Sequence, residues 1–197
     1  FRSYKYDFQA HSFAVMASIA RSINPTIKIA AVEDYIRYRN AYRERIAREV
    51  GVNPETIKRV FTSLGFGGRP VRNPYNSIRR LFYTDAKYDA LVNQRDFQHI
   101  TQDMNKINQT ILEYDKFAGD TFEGFSGHQY VAQRAGERKR NNNQKLAWIY
   151  QNAEATITQE LIRVVREQMA QEPLLVVHDL HVIYVQLFVQ YLFLVLP

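Results

Sequence analysis

The 197-residue chain contains no cysteine and only eight glycines and six prolines. Without cysteine, the protein has no disulfide framework, no thiolate nucleophile and no cysteine-based zinc site. The low glycine and proline content, with 46% hydrophobic and 23% charged residues, excludes collagen-like and disordered classes. The chain also lacks a Walker-type phosphate loop, a Gly-x-Ser-x-Gly elbow and an HExxH metal motif. We therefore expect a globular protein of another functional class.

No signal peptide opens the chain, so we do not expect secretion. Because the first residue is Phe1 rather than Met, we expect the sequence to belong to a longer protein. The segment from Val182 to Pro197 is nearly all apolar, but it is shorter than the roughly 20 residues that a transmembrane helix needs. We favour a buried element or the edge of a truncated chain over a membrane anchor, which stays the alternative, and we assign no membrane partner.

Positive charge is concentrated in two parts of the sequence. The formal net charge is +6, and eleven Lys and Arg residues oppose three acidic residues between Tyr35 and Arg80. A second basic cluster runs from Arg134 to Lys145. Localised positive charge is typical of a phosphate-binding surface. Solvated helix faces are the alternative interpretation, and composition alone leaves both open.

Capping and periodicity predict several helices in the first third of the chain. We expect helices over His11–Ile23 and Ala30–Val50, the second of which is closed by Gly51. Asn53 followed by Pro54 is a helix start, and that helix should run through Leu64. The apolar stripe predicted for the second helix consists of Tyr35, Tyr38, Tyr42 and Ile46.

The rest of the chain is predicted to mix helices, a long loop and short strands. Residues 72–77 form a loop, helices cover much of residues 76–120, and residues 119–144 are an exposed loop region rich in Gly and Asn. A further helix is expected over Gln151–Gln168. Tyr4–Gln9 reads as a strand, and residues 174–184 read as a hairpin with an acidic residue at its tip.

Three segments resemble the conserved motifs of one polymerase family. They are Tyr6–Ala17, which contains Asp7; Lys58–Gly67, which reads Lys-Arg-Val-Phe-Thr-Ser-Leu-Gly-Phe-Gly; and Leu175–Asp179, which ends in His-Asp. Their order and spacing resemble motifs A, B and C of family A nucleic-acid polymerases, the polymerase-I-like and phage-type enzymes. Tyr150–Ala155 resembles the Gln-containing helix that precedes motif C in the DNA polymerases of that family.

The resemblance implies a fold and a domain division. The fold class would be α/β in the α+β sense: a right-hand polymerase fragment with an antiparallel palm sheet and a mostly helical fingers subdomain. Residues 1–22 would be palm, with the motif A strand and helix. Residues 23–125 would be fingers, with the motif B helix at 53–67. Residues 126–197 would be palm again, with the motif C hairpin at 174–184.

The resemblance also implies a metal site made of two carboxylates remote in sequence. Asp7 and Asp179 would hold two Mg²⁺ ions, with Mn²⁺ as an alternative, and would be the catalytic residues. The chemistry agrees, because hard oxygen ligands suit Mg²⁺ and phosphoryl transfer needs neutralisation of the attacking and leaving oxygens. Either aspartate alone would more often be a turn or capping residue, so the prediction depends on the combined pattern.

Further roles follow from the resemblance, residue by residue. The nucleotide-binding set would be Lys58, Arg59, Thr62, Phe66 and Ser12, and the primer or template set would be His178, Gln151, Arg48 and Gly67. We expect Lys58, Thr62 and Phe66 to share one helical face, since they are four residues apart. An ordinary amphipathic helix is the alternative for that spacing.

The chain departs from the family pattern at three positions. Pro54 stands where the family has an arginine, for which Arg48 or Arg59 is a candidate substitute. Ser12 stands where many DNA polymerases have a glutamate that screens out ribose, and Leu180 replaces the glutamate that follows motif C.

Three functions remain open at the level of sequence. The first is a DNA-directed DNA polymerase of viral or phage type, acting in DNA replication on primed DNA and nucleoside triphosphates with the remaining domains of a longer chain. Its expected location is the host cytoplasm or the virion interior. The second is a single-subunit phage-type RNA polymerase, which the serine at position 12 favours. The third is a non-catalytic, basic nucleic-acid-binding protein.

Overall fold

The computed structural model of the chain describes residues 11–133 and 136–169. The helices in these ranges are α1 (His11–Ile23), α2 (Ala30–Val50), α3 (Pro54–Gly65), α4 (Asp85–Asn93), α5 (Arg95–Glu113), α6 (Asp115–Ala118) and α7 (Asn142–Met169). A short 3₁₀ turn lies at Arg79–Leu81, and strands β1 (Thr121–Glu123) and β2 (Gln129–Val131) form an antiparallel hairpin. Among the described helices, none is long and apolar enough to cross a membrane.

The described part of the chain is mostly helical with one small antiparallel sheet, which agrees with an α+β class. The predicted strand at Tyr4–Gln9 and the predicted hairpin at 174–184 lie outside the described residues. The division into palm (1–22 and 126–197) and fingers (23–125) therefore stays a prediction.

The first three helices begin and end where capping predicted. Gly51 ends α2 in the left-handed conformation, with φ of 69°, which glycine adopts without the strain of a Cβ. Asn53 caps α3, because its side chain accepts a hydrogen bond from the Glu55 backbone N–H at 2.8 Å. The helix predictions for His11–Ile23, Ala30–Val50 and Pro54–Leu64 are confirmed.

Helix α5 lies at the centre of the fold and packs against α1, α2, α3, α4, α6 and α7. One of its faces is buried throughout, with side chains at a helical spacing: Phe97, Ile100, Met104, Ile107 and Ile111. Aromatic rings join three other helices at this core. The Tyr35 ring lies 4.8 Å from Phe13 and 4.3 Å from Phe61, measured between centroids. These contacts place α1 and α3 side by side, which positions the site described below.

The predicted apolar stripe of α2 is wrong at Tyr38. Tyr35 and Ile46 are fully buried and Tyr42 is half-buried, but the Tyr38 side chain is 55% exposed. The backbone of Tyr38 is non-helical, with φ of −123° and ψ of 33°. Because the helix is kinked at this residue, the helical phase shifts and Tyr38 leaves the buried face.

The region from 119 to 144 is not the loop that the sequence predicted. It contains the β1–β2 hairpin, in which Phe122 and Tyr130 are buried and stack at a centroid distance of 4.7 Å. Helix α7 begins at Asn142, well before the predicted start at Gln151. Glycine and asparagine content was a poor guide here, because two short strands with one buried ring each suffice to form a hairpin.

The start of α2 is stabilised by a residue from α5. The local N-cap residue, Ile29, has no side chain that can accept a hydrogen bond. Instead, Asp103 Oδ2 accepts from the Ala31 backbone N–H at 2.9 Å, and Asp103 Oδ1 accepts from Lys106 Nζ at 2.7 Å. Asp103 is almost fully buried. A carboxylate at a helix N-terminus also interacts favourably with the helix dipole.

We predict that Asp103→Ala lowers the free energy of unfolding by about 1–3 kcal/mol, because a buried helix N–H loses its acceptor. Asp103→Asn should lose less, since its amide oxygen can still accept from Ala31. Asp34→Ala, which removes an exposed aspartate from α2, should change stability by at most about 0.5 kcal/mol. Urea denaturation measures all three. Equal losses for the Ala and Asn variants of Asp103 would contradict the capping role.

Candidate functional site

The outer face of α3 presents two cations to solvent. Lys58 Nζ lies 3.3 Å from Glu55 Oε2, and these side chains are 52% and 71% exposed. An exposed pair of this kind contributes about 0–1 kcal/mol, so it is easily exchanged for a phosphate. Arg59 is also exposed, and no acidic partner contacts it in the described part of the chain. Thr62 Oγ1 donates its hydroxyl proton to the Lys58 backbone carbonyl at 3.0 Å. This proton is therefore engaged within the helix.

Phe66 is the C-cap residue of α3, and its backbone N–H donates to the Thr62 carbonyl at 3.3 Å. Whereas Lys58 and Thr62 are exposed, Phe66 is half-buried. Its ring meets Tyr150 of α7 edge to face, with 5.0 Å between centroids and an interplanar angle of 84°. Phe66 thus follows Thr62 by one helical turn, with its ring against α7, and a face shared with Lys58 stays a prediction.

Ser12 of α1 lies against Gly65 of α3. A Cβ built on Gly65 would overlap the Ser12 hydroxyl and approach the Ser12 Cβ to 3.0 Å. Gly65 is buried, so a larger residue there would push α1 and α3 apart. The absent side chain thus allows Ser12 to lie directly beside the end of α3.

His11, Tyr150 and Glu154 connect α1 to α7. His11 Nε2 lies 3.3 Å from Glu154 Oε1, and the His11 ring lies 5.8 Å from the Tyr150 ring. Burial, together with the neighbouring Glu154 carboxylate, raises the pKa of Tyr150 well above its ordinary value. The phenol is therefore neutral, and its hydroxyl donates to Glu154.

These contacts bring three segments that are far apart in sequence to one place. We call this cluster the three-helix junction; it consists of His11, Ser12, Gly65, Phe66, Tyr150 and Glu154. Two of the predicted nucleotide-binding residues, Ser12 and Phe66, belong to it. Lys58, Arg59 and Thr62 lie on the same helix as Gly65 and precede it in the sequence.

Gly67 is buried where the end of α3 approaches α7. Its φ is 80°, and a Cβ there would lie 3.2 Å from Leu146 Cδ1. Glycine is thus required at position 67 for backbone conformation and for close packing. The predicted role of Gly67 in template binding is not needed to explain this residue.

Gln151 projects from α7 with an exposed side chain, next to a well-anchored residue. The adjacent Asn152 is buried, and its Oδ1 accepts from the Ser126 backbone N–H at 2.9 Å. Gly124 allows this approach, because a Cβ there would overlap the Asn152 amide and lie 2.7 Å from Trp148. The β1–β2 turn therefore fixes the part of α7 that carries Gln151.

The arginines of α2 are only partly available to a ligand. Arg43 Nε donates to the Tyr35 hydroxyl at 2.9 Å, and Arg45 Nε donates to Asp96 Oδ2 at 2.8 Å. Arg48 is exposed in the last turn of α2, and no described contact joins it to the three-helix junction. Part of the positive charge predicted to bind phosphate thus serves internal contacts.

The proposed metal ligands Asp7 and Asp179, and the predicted primer contact His178, lie outside the described residues. Within residues 11–133 and 136–169, no group of three or more His, Asp or Glu side chains is arranged to hold a metal ion.

Sequence reasoning assigned no role at this site to His11, Tyr150 or Glu154. The spacing of Tyr150 and Glu154 could have indicated their pairing, since residues four apart on a helix are neighbours. Nothing local in the sequence indicates that His11 meets them. That contact depends on the packing of α1 against α7.

No protein-family model, no curated protein and no solved structure matches the chain.

We predict that Gly65→Ala lowers the free energy of unfolding by about 1–3 kcal/mol, because the added methyl group overpacks the contact with Ser12. Adding Ser12→Gly should restore part of the loss, as coupling between touching residues requires. Gly51→Ala is the control: nothing lies within 4 Å of its added Cβ, and only left-handed strain of about 1–2 kcal/mol is expected. If Ser12→Gly failed to rescue Gly65→Ala, or rescued Gly51→Ala equally, the close approach would not be the cause.

Proposed function

We propose that this chain carries out template-directed nucleotidyl transfer, most specifically as a DNA-directed DNA polymerase. The observation that supports this best is the three-helix junction. It joins the start of α1, the end of α3 and the middle of α7, which are the segments that resemble motif A, motif B and the Gln-containing helix. A chance sequence resemblance would not require these three segments to be in contact.

The exposed cations of α3 support the binding of a triphosphate. Lys58 and Arg59 would attract and orient the phosphates, because they are held on a rigid helix and have at most a weak partner. Phe66, held edge-on by Tyr150, would contact the sugar or base beside Ser12. Gln151 would contact the primed duplex from the exposed face of α7.

Asp7 and Asp179 would hold the metal ions in this proposal. Two carboxylates provide the hard oxygen donors that Mg²⁺ prefers, and Mn²⁺ accepts the same ligands. When bound, the ions would neutralise charge on the phosphate oxygens. Asp7 precedes His11 of the three-helix junction by four residues in the sequence.

A phage-type RNA polymerase is the second candidate, and one observation favours it. Ser12 is small and lies against Gly65 at the end of α3, so no bulky acid at this position excludes a ribose. Supplying deoxynucleotides or ribonucleotides separately on a primed template decides between the two candidates.

We predict that the full chain extends a primer in the presence of Mg²⁺, and that Asp179→Ala or Asp7→Ala reduces extension by about a thousandfold or more, as loss of catalytic charge stabilisation does. Template affinity should stay close to that of the wild type. Asp34→Ala removes an exposed aspartate of α2 and should leave extension unchanged. Absence of extension by the wild type would favour the non-catalytic binder, and full extension by Asp179→Ala would refute the metal site.

We also predict that Lys58→Ala raises KM for the nucleotide about tenfold or more, since a charge-assisted contact to phosphate contributes roughly 1.5–3 kcal/mol. Lys87→Ala is the matched control, because Lys87 is exposed on α4. Steady-state kinetics with varied nucleotide concentration separates the effect on KM from that on kcat. Equal effects of the two lysine variants would indicate non-specific charge.

A further inference from the structure

The stretch that runs from α3 to the start of α4 is unusually basic. Residues 56–84 contain six Lys and Arg residues and no Asp or Glu. Most of this charge lies between α3 and α4. We call residues 69–83 the arginine–tyrosine loop. Acids from other elements can pair with part of this charge, and exposed arginines without such a partner can pair with a ligand.

Ion pairs divide the arginines of this loop into two groups. Arg72 Nη2 lies 2.7 Å from Asp89 Oδ2, and Arg79 Nη2 lies 2.6 Å from Asp85 Oδ1. Arg69 and Arg80 are exposed, and neither has an acidic partner among the described residues. Two guanidinium groups are therefore available to a phosphate backbone.

The same loop exposes two aromatic side chains. Tyr75 is 87% exposed and Tyr83 is fully exposed, at 103% of the reference area. Neither ring contacts another aromatic ring in the described part of the chain. Tyrosine is usually at least partly buried, because its ring contributes much of its energy through contact area. Two such rings in the same loop as two exposed arginines are typical of a surface that stacks bases.

The arginine–tyrosine loop is held in place by its own hydrogen bonds. Asn76 Nδ2 donates to the Arg69 carbonyl at 2.8 Å, and Asn76 Oδ1 accepts from the Ile78 backbone N–H at 3.0 Å. The Ser63 and Ser77 hydroxyls, 2.7 Å apart, tie the loop to α3. A preorganised loop loses less conformational entropy when it binds a ligand.

We propose that the arginine–tyrosine loop binds an unpaired nucleic-acid strand. Bases stack on Tyr75 and Tyr83, and Arg69 and Arg80 contact the phosphates. That this strand is the template copied during synthesis rests on the proposed function. Binding itself needs neither metal ion nor nucleotide, so it can be tested separately.

The test is fluorescence anisotropy of the full chain with labelled oligo-dT and oligo-rU of about 16 nucleotides, the upper end of common site sizes. Divalent cations and nucleotides are left out. Tyr75→Ala and Tyr83→Ala should each weaken binding about fivefold or more, and Tyr75→Phe should retain it. Arg69→Gln and Arg80→Gln should each reduce the slope of log K against log salt by about 0.7.

The controls remove similar groups from other elements. Tyr38→Ala removes a tyrosine that is 55% exposed on α2, and Arg95→Gln removes an exposed arginine at the start of α5. Both should bind like the wild type. Melting curves followed by circular dichroism should show that all variants fold.

The inference is supported if either single strand binds more tightly than a blunt duplex and the tyrosine variants lose this preference. Comparison of oligo-dT with oligo-rU then shows whether the loop prefers a DNA or an RNA strand. No binding, equal affinity for the duplex, or equal losses in the controls overturns the inference. A chain that binds single strands but extends no primer contradicts the proposed function alone. A chain that extends primers while its tyrosine variants bind normally contradicts this inference alone.

Discussion

The close approach of α3 to α1 and α7 is the constraint on which the candidate site depends. Gly65 leaves room for Ser12, and Gly67 takes a left-handed conformation that brings the chain against Leu146. Phe66, between these two glycines, can then reach Tyr150. The Gly-Phe-Gly sequence thus has a packing reason that is independent of any resemblance. The same packing brings together the segments that resemble motif A, motif B and the Gln-containing helix.

The internal contacts of each arginine, more than the number of arginines in a segment, decide which positive charges can bind a ligand. The arginine-rich helix α2 uses Arg43 and Arg45 for contacts to Tyr35 and Asp96. The stretch after α3 has no acidic residues of its own, and acids from α4 neutralise only part of it. Phosphate binding is therefore better supported on α3 and the loop behind it than on α2.

Much of the helical framework could be predicted from the sequence, because local signals specify it. Asn53 and Gly51 mark helix ends through their own hydrogen bonding and backbone freedom. The cap that Asp103 provides for α2 could not be predicted, since it comes from 72 residues away. The contact of His11 with Glu154 was missed for the same reason. The kink at Tyr38 could not be predicted either, because α2 contains no glycine or proline.

In the proposed polymerase, Asp7 and Asp179 would hold a divalent cation beside the three-helix junction, since Asp7 precedes His11 by four residues. Replacing Mg²⁺ by Fe²⁺ and adding ascorbate and peroxide generates radicals at the bound ion, and mass spectrometry locates the cleaved backbone. We expect cleavage near residues 65–67 and 150–154, suppressed by excess Mg²⁺ and absent in Asp179→Ala. Cleavage elsewhere, or a pattern that Mg²⁺ and the Asp179 substitution leave unchanged, would contradict the claim.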